Sequence, residues 1–132
     1  MNFDDIKLEY EEDIKWEFNK IGKYLQNLPS IIAKYQNYWF KYKRMYDKLE
    51  TEYDELWISR FVYYKHDFDI KLTNSEIKDF LNKDKELNTI KSKIKQILAH
   101  NDWLERALKN LDSTRWDIKN VIEFEKFKNG SF

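Results

Sequence analysis

Cysteine is absent from the 132 residues, which include only two glycines and one proline. The missing cysteine excludes thiolate metal sites and thiol catalysis, and leaves the redox compartment unmarked. Two glycines cannot assemble a phosphate-cradling loop or a dinucleotide-binding turn, which removes several enzyme classes. So little turn-forming material points to an all-α chain built of long helices. No apolar run approaches the roughly 20 residues that a membrane span needs. The opening "MNFDDIKLEYEED" is acidic and lacks an apolar signal core, so the expected setting is the cytoplasm, with no membrane partner. Net charge is missing too, because 24 basic and 24 acidic residues cancel. A dedicated nucleic-acid binder is usually basic overall, so any such contact here must rest on local concentrations of positive charge.

Catalytic constellations are equally absent. His66 and His100 are too few and too far apart for a metal set, and no serine has a histidine base in a recognisable motif. Glu9, Glu11, Glu12 and Asp13 are dense enough to suggest a metal, but such a run ordinarily forms a solvated helix face, as does "ETEYDE" at 50–55. The expectation is a protein that is not an enzyme, with no cofactor and no metal.

What the chain does have is heptads. Ile21, Leu25, Leu28, Ile32, Tyr35, Trp39, Tyr42, Tyr46, Leu49, Tyr53 and Leu56 alternate steps of four and three, a coiled-coil-like spacing. Pro29 lies within this run, either kinking one helix or opening a new one after Leu28; the second is preferred. The organisation expected is one domain over 1–132, with an acidic N-terminal arm (1–28), a long helix (29–66) and a C-terminal helical oligomerisation region (74–132). Tyrosine and tryptophan are too bulky for a tight two-stranded zipper, so the seam is expected to pack in a bundle or ring.

In the arm, Phe3, Ile6 and Tyr10 are spaced for a short amphipathic helix. "IKWEF" (14–18) alternates and reads as extended, with Asn19 as a candidate cap for the next helix. After a connector at 67–73, Thr73 and Glu76 in "TNSE" form a capping box for a short helix through Ile77, Phe80 and Leu81, and "NKDKE" reads as a turn. A second heptad follows: Leu87, Ile90, Ile94, Ile97, Asn101, Leu104, Leu108 and Leu111. Asn101 either fixes register or faces solvent at a kink. "LDST" (111–114) offers caps for a final short helix with Trp116, Ile118 and Phe124, stopped at Asn129 and Gly130. Leu104, Leu108, Leu111, Trp116, Ile118 and Phe124 are the expected assembly contacts, because two long seams expose more apolar surface than one protomer can cover.

Basic and aromatic residues interleave in "WFKYKR" (39–44), where Lys41, Lys43 and Arg44 stand beside Trp39, Phe40 and Tyr42, with Lys34 and Lys48 nearby. A second cluster, "IKSKIK" (90–95), adds Lys91, Lys93 and Lys95. Cations for phosphates and flat rings for bases make a sequence-tolerant single-strand surface. The competing reading leaves the aromatics to the seam and the lysines to solvent.

The arrangement resembles the UvsY family, recombination mediators of large tailed phages. "SEIKDFLNKDKEL" (75–87) resembles the family's capped helix and turn. "RALKNLDSTRWDIKNVIEFEKFKNG" (106–130) is similar to its closing helices, and "SRFVYY" (59–64) to its arginine followed by an apolar residue and a tyrosine pair. The resemblance implies a protein that binds single-stranded DNA and helps a RecA-like recombinase (UvsX) replace the single-strand DNA-binding protein. It also implies self-assembly into a ring-like hexamer or heptamer, in the cytoplasm of the infected bacterial host. The family's motif carries a lysine and an arginine two residues apart; Arg60 matches the arginine, while Ile58 stands at the lysine position. Lys41, Lys43, Arg44 and Lys65 are candidates, by their charge, to compensate. The acidic arm is expected to avoid DNA and to dock on a neighbouring subunit or the recombinase, anchored by Trp16 and Phe18.

Overall fold

A computed structural model of the chain describes residues 2–130. Among them the regular structure is all helical: α1 (Phe3–Asp13), a 3-10 turn (Phe18–Lys20), α2 (Ile21–Val62), a π turn (Tyr63–Asp67), α3 (Asn74–Asn82) and α4 (Lys85–Lys128). The chain divides into two compact units, residues 1–40 with 102–132, and residues 41–101, to both of which α2 and α4 contribute.

In the first unit, α1 opens on a reciprocal capping box, with Asn2 Oδ1 accepting from the Asp5 N–H and Asp5 Oδ2 from the Asn2 N–H, both at 3.0 Å. Its apolar face behaves as its spacing predicts, and Phe3 and Ile6 are buried. Phe3 and Tyr10 meet Trp103 edge-on, with ring centroids 5.4 and 5.1 Å apart, and Tyr10 also meets Tyr35. The apolar face of α1 is thus packed within its own unit, while Asp4, Asp5, Leu8, Glu11 and Glu12 stay exposed. Leu28, Tyr35, Leu104, Leu111 and Ile118 are fully buried, each aliphatic contributing about 1.5–3 kcal/mol by leaving water.

The second unit has its core at Ile77, Leu81 and Leu87, covered by Tyr53, Leu56, Trp57, Phe61, Tyr64 and Leu72. Trp57 stacks on Phe61 and Tyr64 on Phe80, each pair with centroids 5.3 Å apart. The Thr73 box forms as expected: Thr73 Oγ1 accepts from the Glu76 N–H, and Glu76 Oε1 from the Thr73 N–H. Those bonds hold the Glu76 carboxyl below its ordinary pKa. Asp84 ends the turn by accepting the Leu87 N–H at 2.9 Å, which caps α4.

Several local expectations are corrected. Pro29 neither opens nor ends a helix; it lies inside α2. It is exposed while Leu28 beside it is fully buried, so its ring faces water and leaves the buried stripe uninterrupted. "IKWEF" forms no continuous extended segment: residues 15–17 are irregular and Phe18 begins the 3-10 turn, with Asn19 inside that turn rather than capping α2. "LDST" does not break α4, because Ser113 and Thr114 donate back to the Asn110 carbonyl at 3.0 and 2.8 Å within the helix. Asn101 is buried instead of facing solvent, and its Oδ1 has no hydrogen-bond partner among the described residues. The stop is as expected: α4 ends at Lys128, and Gly130 takes a φ of 66°.

Candidate nucleic-acid interface

The cations of the second unit differ in how far the chain itself has neutralised them. Lys41, Arg44 and Lys48 recur at i, i+3 and i+7, so they share one face of α2. All three are exposed, and none has an ion pair among the described residues. Lys41 lies 5.8 Å from the Tyr42 ring centre. Lys43 points elsewhere: it is bonded to Asp47 at 3.0 Å and lies over Tyr46 at 4.8 Å. Lys91 and Lys95, at i and i+4, share a face of α4 and Lys93 takes another; all three are exposed. Lys65 donates to Asn74 Oδ1 at 2.8 Å and lies 5.9 Å from the Phe61 ring.

Arg60 is the most tightly held. Its Nε donates to Asp84 Oδ2 at 3.1 Å and its Nη2 to Glu86 Oε2 at 2.6 Å, while its side chain stays 37% exposed. It occupies the last α2 turn, two residues from the 58%-exposed Ile58. Sequence spacing gave no sign of these partners, which lie 24 and 26 residues away. A phosphate would find this guanidinium already paired with two carboxylates.

In the first unit, Lys34 is removed from the basic set altogether. It bonds both Glu9 and Asp13, while the Tyr38 hydroxyl donates to Glu9 and the Tyr35 hydroxyl to Asp13. Burial pushes the Lys34 pKa down, but its hydrogen bonds to Asp13 and Glu9 outweigh that and leave it raised. Burial, aided by the Asp13 bond, raises the Tyr35 phenol well above its ordinary range. Glu9 and Asp13 therefore tie α1 to α2, in place of the solvated face expected for them. The signal was present: they fall at i+3 and i+7 from buried Ile6. Trp39 spends its indole N–H on Glu105 at 3.3 Å, and Phe40 is exposed.

The expected assembly residues separate cleanly. Leu104, Leu111 and Ile118 are buried within the chain and Leu108 is half-buried, whereas Trp116 and Phe124 are each 63% exposed. Lys119 lies over the Trp116 ring at 5.2 Å. Among the described residues no acidic or histidine cluster is placed to hold a metal ion, and no helix is long and apolar enough to cross a membrane.

With this geometry in view, the family comparison is decisive. The model for "Recombination, repair and ssDNA binding protein UvsY" matches residues 9–131. The chain belongs to the UvsY family. Two crystal structures of the bacteriophage T4 recombination mediator protein UvsY are similar in fold. The lattice type IV form superposes with a TM-score of 0.85 at 20% identity, covering 97% of this chain and 99% of that one. The lattice type I form gives 0.83 at 21% identity, covering 94% and 98%. No curated protein sequence matches the chain. As a UvsY family member it is a recombination and repair protein of the single-strand-binding class, and its exposed lysines are the surface on which that binding is to be sought.

Proposed function

We propose that this chain is a recombination mediator that binds single-stranded DNA and promotes loading of a RecA-like phage recombinase (UvsX) in place of the single-strand DNA-binding protein. It acts without catalysis of its own, as a ring-like hexamer or heptamer in the cytoplasm of the infected host. The family match over residues 9–131 carries the reading. Lys41, Arg44, Lys48, Lys91, Lys93 and Lys95, exposed and without an ion pair among the described residues of a chain of zero net charge, give it a physical basis. Weak cationic contacts repeated around an oligomer hold a strand by avidity and still release it to the recombinase. Trp116 and Phe124 supply exposed aromatic surface for the assembly.

The test is equilibrium binding of a labelled oligo(dT) across salt concentration. The mediator reading predicts binding at low salt, with log K falling linearly in log salt by about 0.7 per phosphate contact. A helical scaffold with no nucleic-acid role would show no binding at any salt concentration.

A further inference from the structure

The N-terminal arm changes sign along its length. Between Asn2 and Asp13 stand six acids and one lysine; between Ile14 and Asn27 stand Lys15, Lys20 and Lys23 against Glu17 alone. The fold gathers that second stretch around an open groove within the first unit, lined by Lys15, Trp16, Glu17, Lys20, Lys23 and Tyr24 among others. Tyr24 is fixed there by its hydroxyl, which donates to the Asp13 carbonyl at 3.0 Å, and burial raises its pKa. Trp16, half-buried in the irregular link between α1 and the 3-10 turn, presents the groove's other ring.

The cations are available. Lys15 pairs with Glu12 at 2.8 Å and Lys20 with Glu17 at 3.6 Å, but all four side chains are about two-thirds exposed or more. Pairs of that kind contribute little and exchange readily for another anion. Lys23 is exposed and has no ion pair among the described residues. Two rings and three exchangeable ammonium groups around an open groove match the chemistry of a nucleobase flanked by its phosphates.

We infer that this groove is a second strand-contacting site, which takes one base of a single-stranded nucleic acid against Trp16 and its flanking phosphates on Lys20 and Lys23. The inference rests on the strand-binding reading above, and it reverses the expectation that the whole arm repels DNA. That expectation follows from the charge of α1, whereas the groove is built from the basic residues after it.

The experiment uses the full chain with oligo(dT) and a strand substituted with 5-bromodeoxyuridine. Photo-crosslinking followed by peptide mapping is expected to place an adduct on Trp16 or Tyr24. Lys20→Glu with Lys23→Glu, both at exposed positions, lowers affinity about fivefold or more and reduces the salt slope by about 0.7 for each phosphate no longer held. Trp16→Ala lowers affinity about fivefold or more, as expected when one base no longer stacks, while leaving the salt slope unchanged. Circular dichroism and light scattering check that helicity and subunit number are kept. If the wild type binds the strand, these variants bind it equally well and no adduct maps to residues 14–27, the groove is overturned and the mediator reading stands. If the wild type binds no strand, the mediator reading falls and the groove with it. If polyglutamate displaces nothing from the strand site yet binds the wild type and not the lysine variant, the groove belongs to an acidic protein partner and the inference is overturned.

Discussion

Asp84 does two jobs that substitution can separate. Its Oδ1 caps α4 by accepting the Leu87 N–H at 2.9 Å, and its Oδ2 accepts from Arg60 at 3.1 Å, with the side chain only 13% exposed. Losing an N-cap acceptor costs about 1 kcal/mol. The Arg60 pair is worth only about 0.5–1 kcal/mol because the arginine is 37% exposed and its charge is screened by solvent. Asp84→Ala removes both and is expected to cost about 1.5–2 kcal/mol. Asp84→Asn keeps a cap and loses only the charge, so about 0.5–1 kcal/mol is expected. The assay is urea unfolding followed by circular dichroism, at one fixed protein concentration because assembly shifts apparent stability by mass action. Under the proposed strand-binding reading, the two carboxylates that hold Arg60 compete with phosphate for it. Asp84→Asn should therefore raise oligo(dT) affinity about two- to fivefold, the equivalent of about 0.5–1 kcal/mol, even as stability falls. An Asp84→Ala protein within about 0.3 kcal/mol of wild type, or an Asn variant as damaged as the Ala variant, refutes the double role. Unchanged strand affinity in Asp84→Asn refutes the competition.

Arg60→Ala is expected to weaken binding on every sequence alike but to lower the salt slope by less than the value of a full phosphate contact, about 0.7, because Asp84 and Glu86 already hold the guanidinium. Ile58→Lys, at an exposed position two residues before it, raises affinity, and oligo(dT) titrations across salt check both. Trp116→Ala with Phe124→Ala should lower the subunit number expected of the proposed ring while the chain stays helical, since both side chains are 63% exposed and Ile118 between them remains buried; light scattering that finds an unchanged subunit number contradicts this. The folded pKa values of Lys34 and Tyr35 both lie above their ordinary values of 10.5 and 10.0. Their contribution is therefore complete below about pH 10 and is lost as pH rises, because the unfolded chain releases these protons first. Melting temperature should hold steady to about pH 9.5 and then fall, more shallowly in Tyr35→Phe; an equally steep alkaline fall in that variant removes Tyr35 as a cause.

The two long seams and the Thr73 box were legible because their signals lie within a turn or two of each other. Heptad steps identify a buried stripe without reference to anything distant, and Thr73 and Glu76 satisfy each other across three residues. The breaks were misread for a related reason. Pro29 and "LDST" carry end-of-helix chemistry, but exposure of the Pro29 side and back-bonding to Asn110 remove the need for an end. The partners of charge were the least legible. Lys34 lies 21 residues from Asp13, and Arg60 lies 24 from Asp84; only the fold brings them together. That is why Lys34 and Arg60, singled out by sequence, are held by distant carboxylates, while Lys91, Lys93 and Lys95 are exposed without an ion pair among the described residues.

The central claim is mediation, and it is met most directly by a recombinase assay on single-stranded DNA already coated with its single-strand-binding protein. Under coating that silences the recombinase alone, adding this chain should restore strand-dependent ATP hydrolysis and strand exchange, saturating at a fixed ratio of protein to nucleotide. The Lys91→Glu, Lys93→Glu, Lys95→Glu variant should restore less. Restoration absent at every ratio, with the chain bound to the strand and the recombinase active on bare DNA, would contradict it.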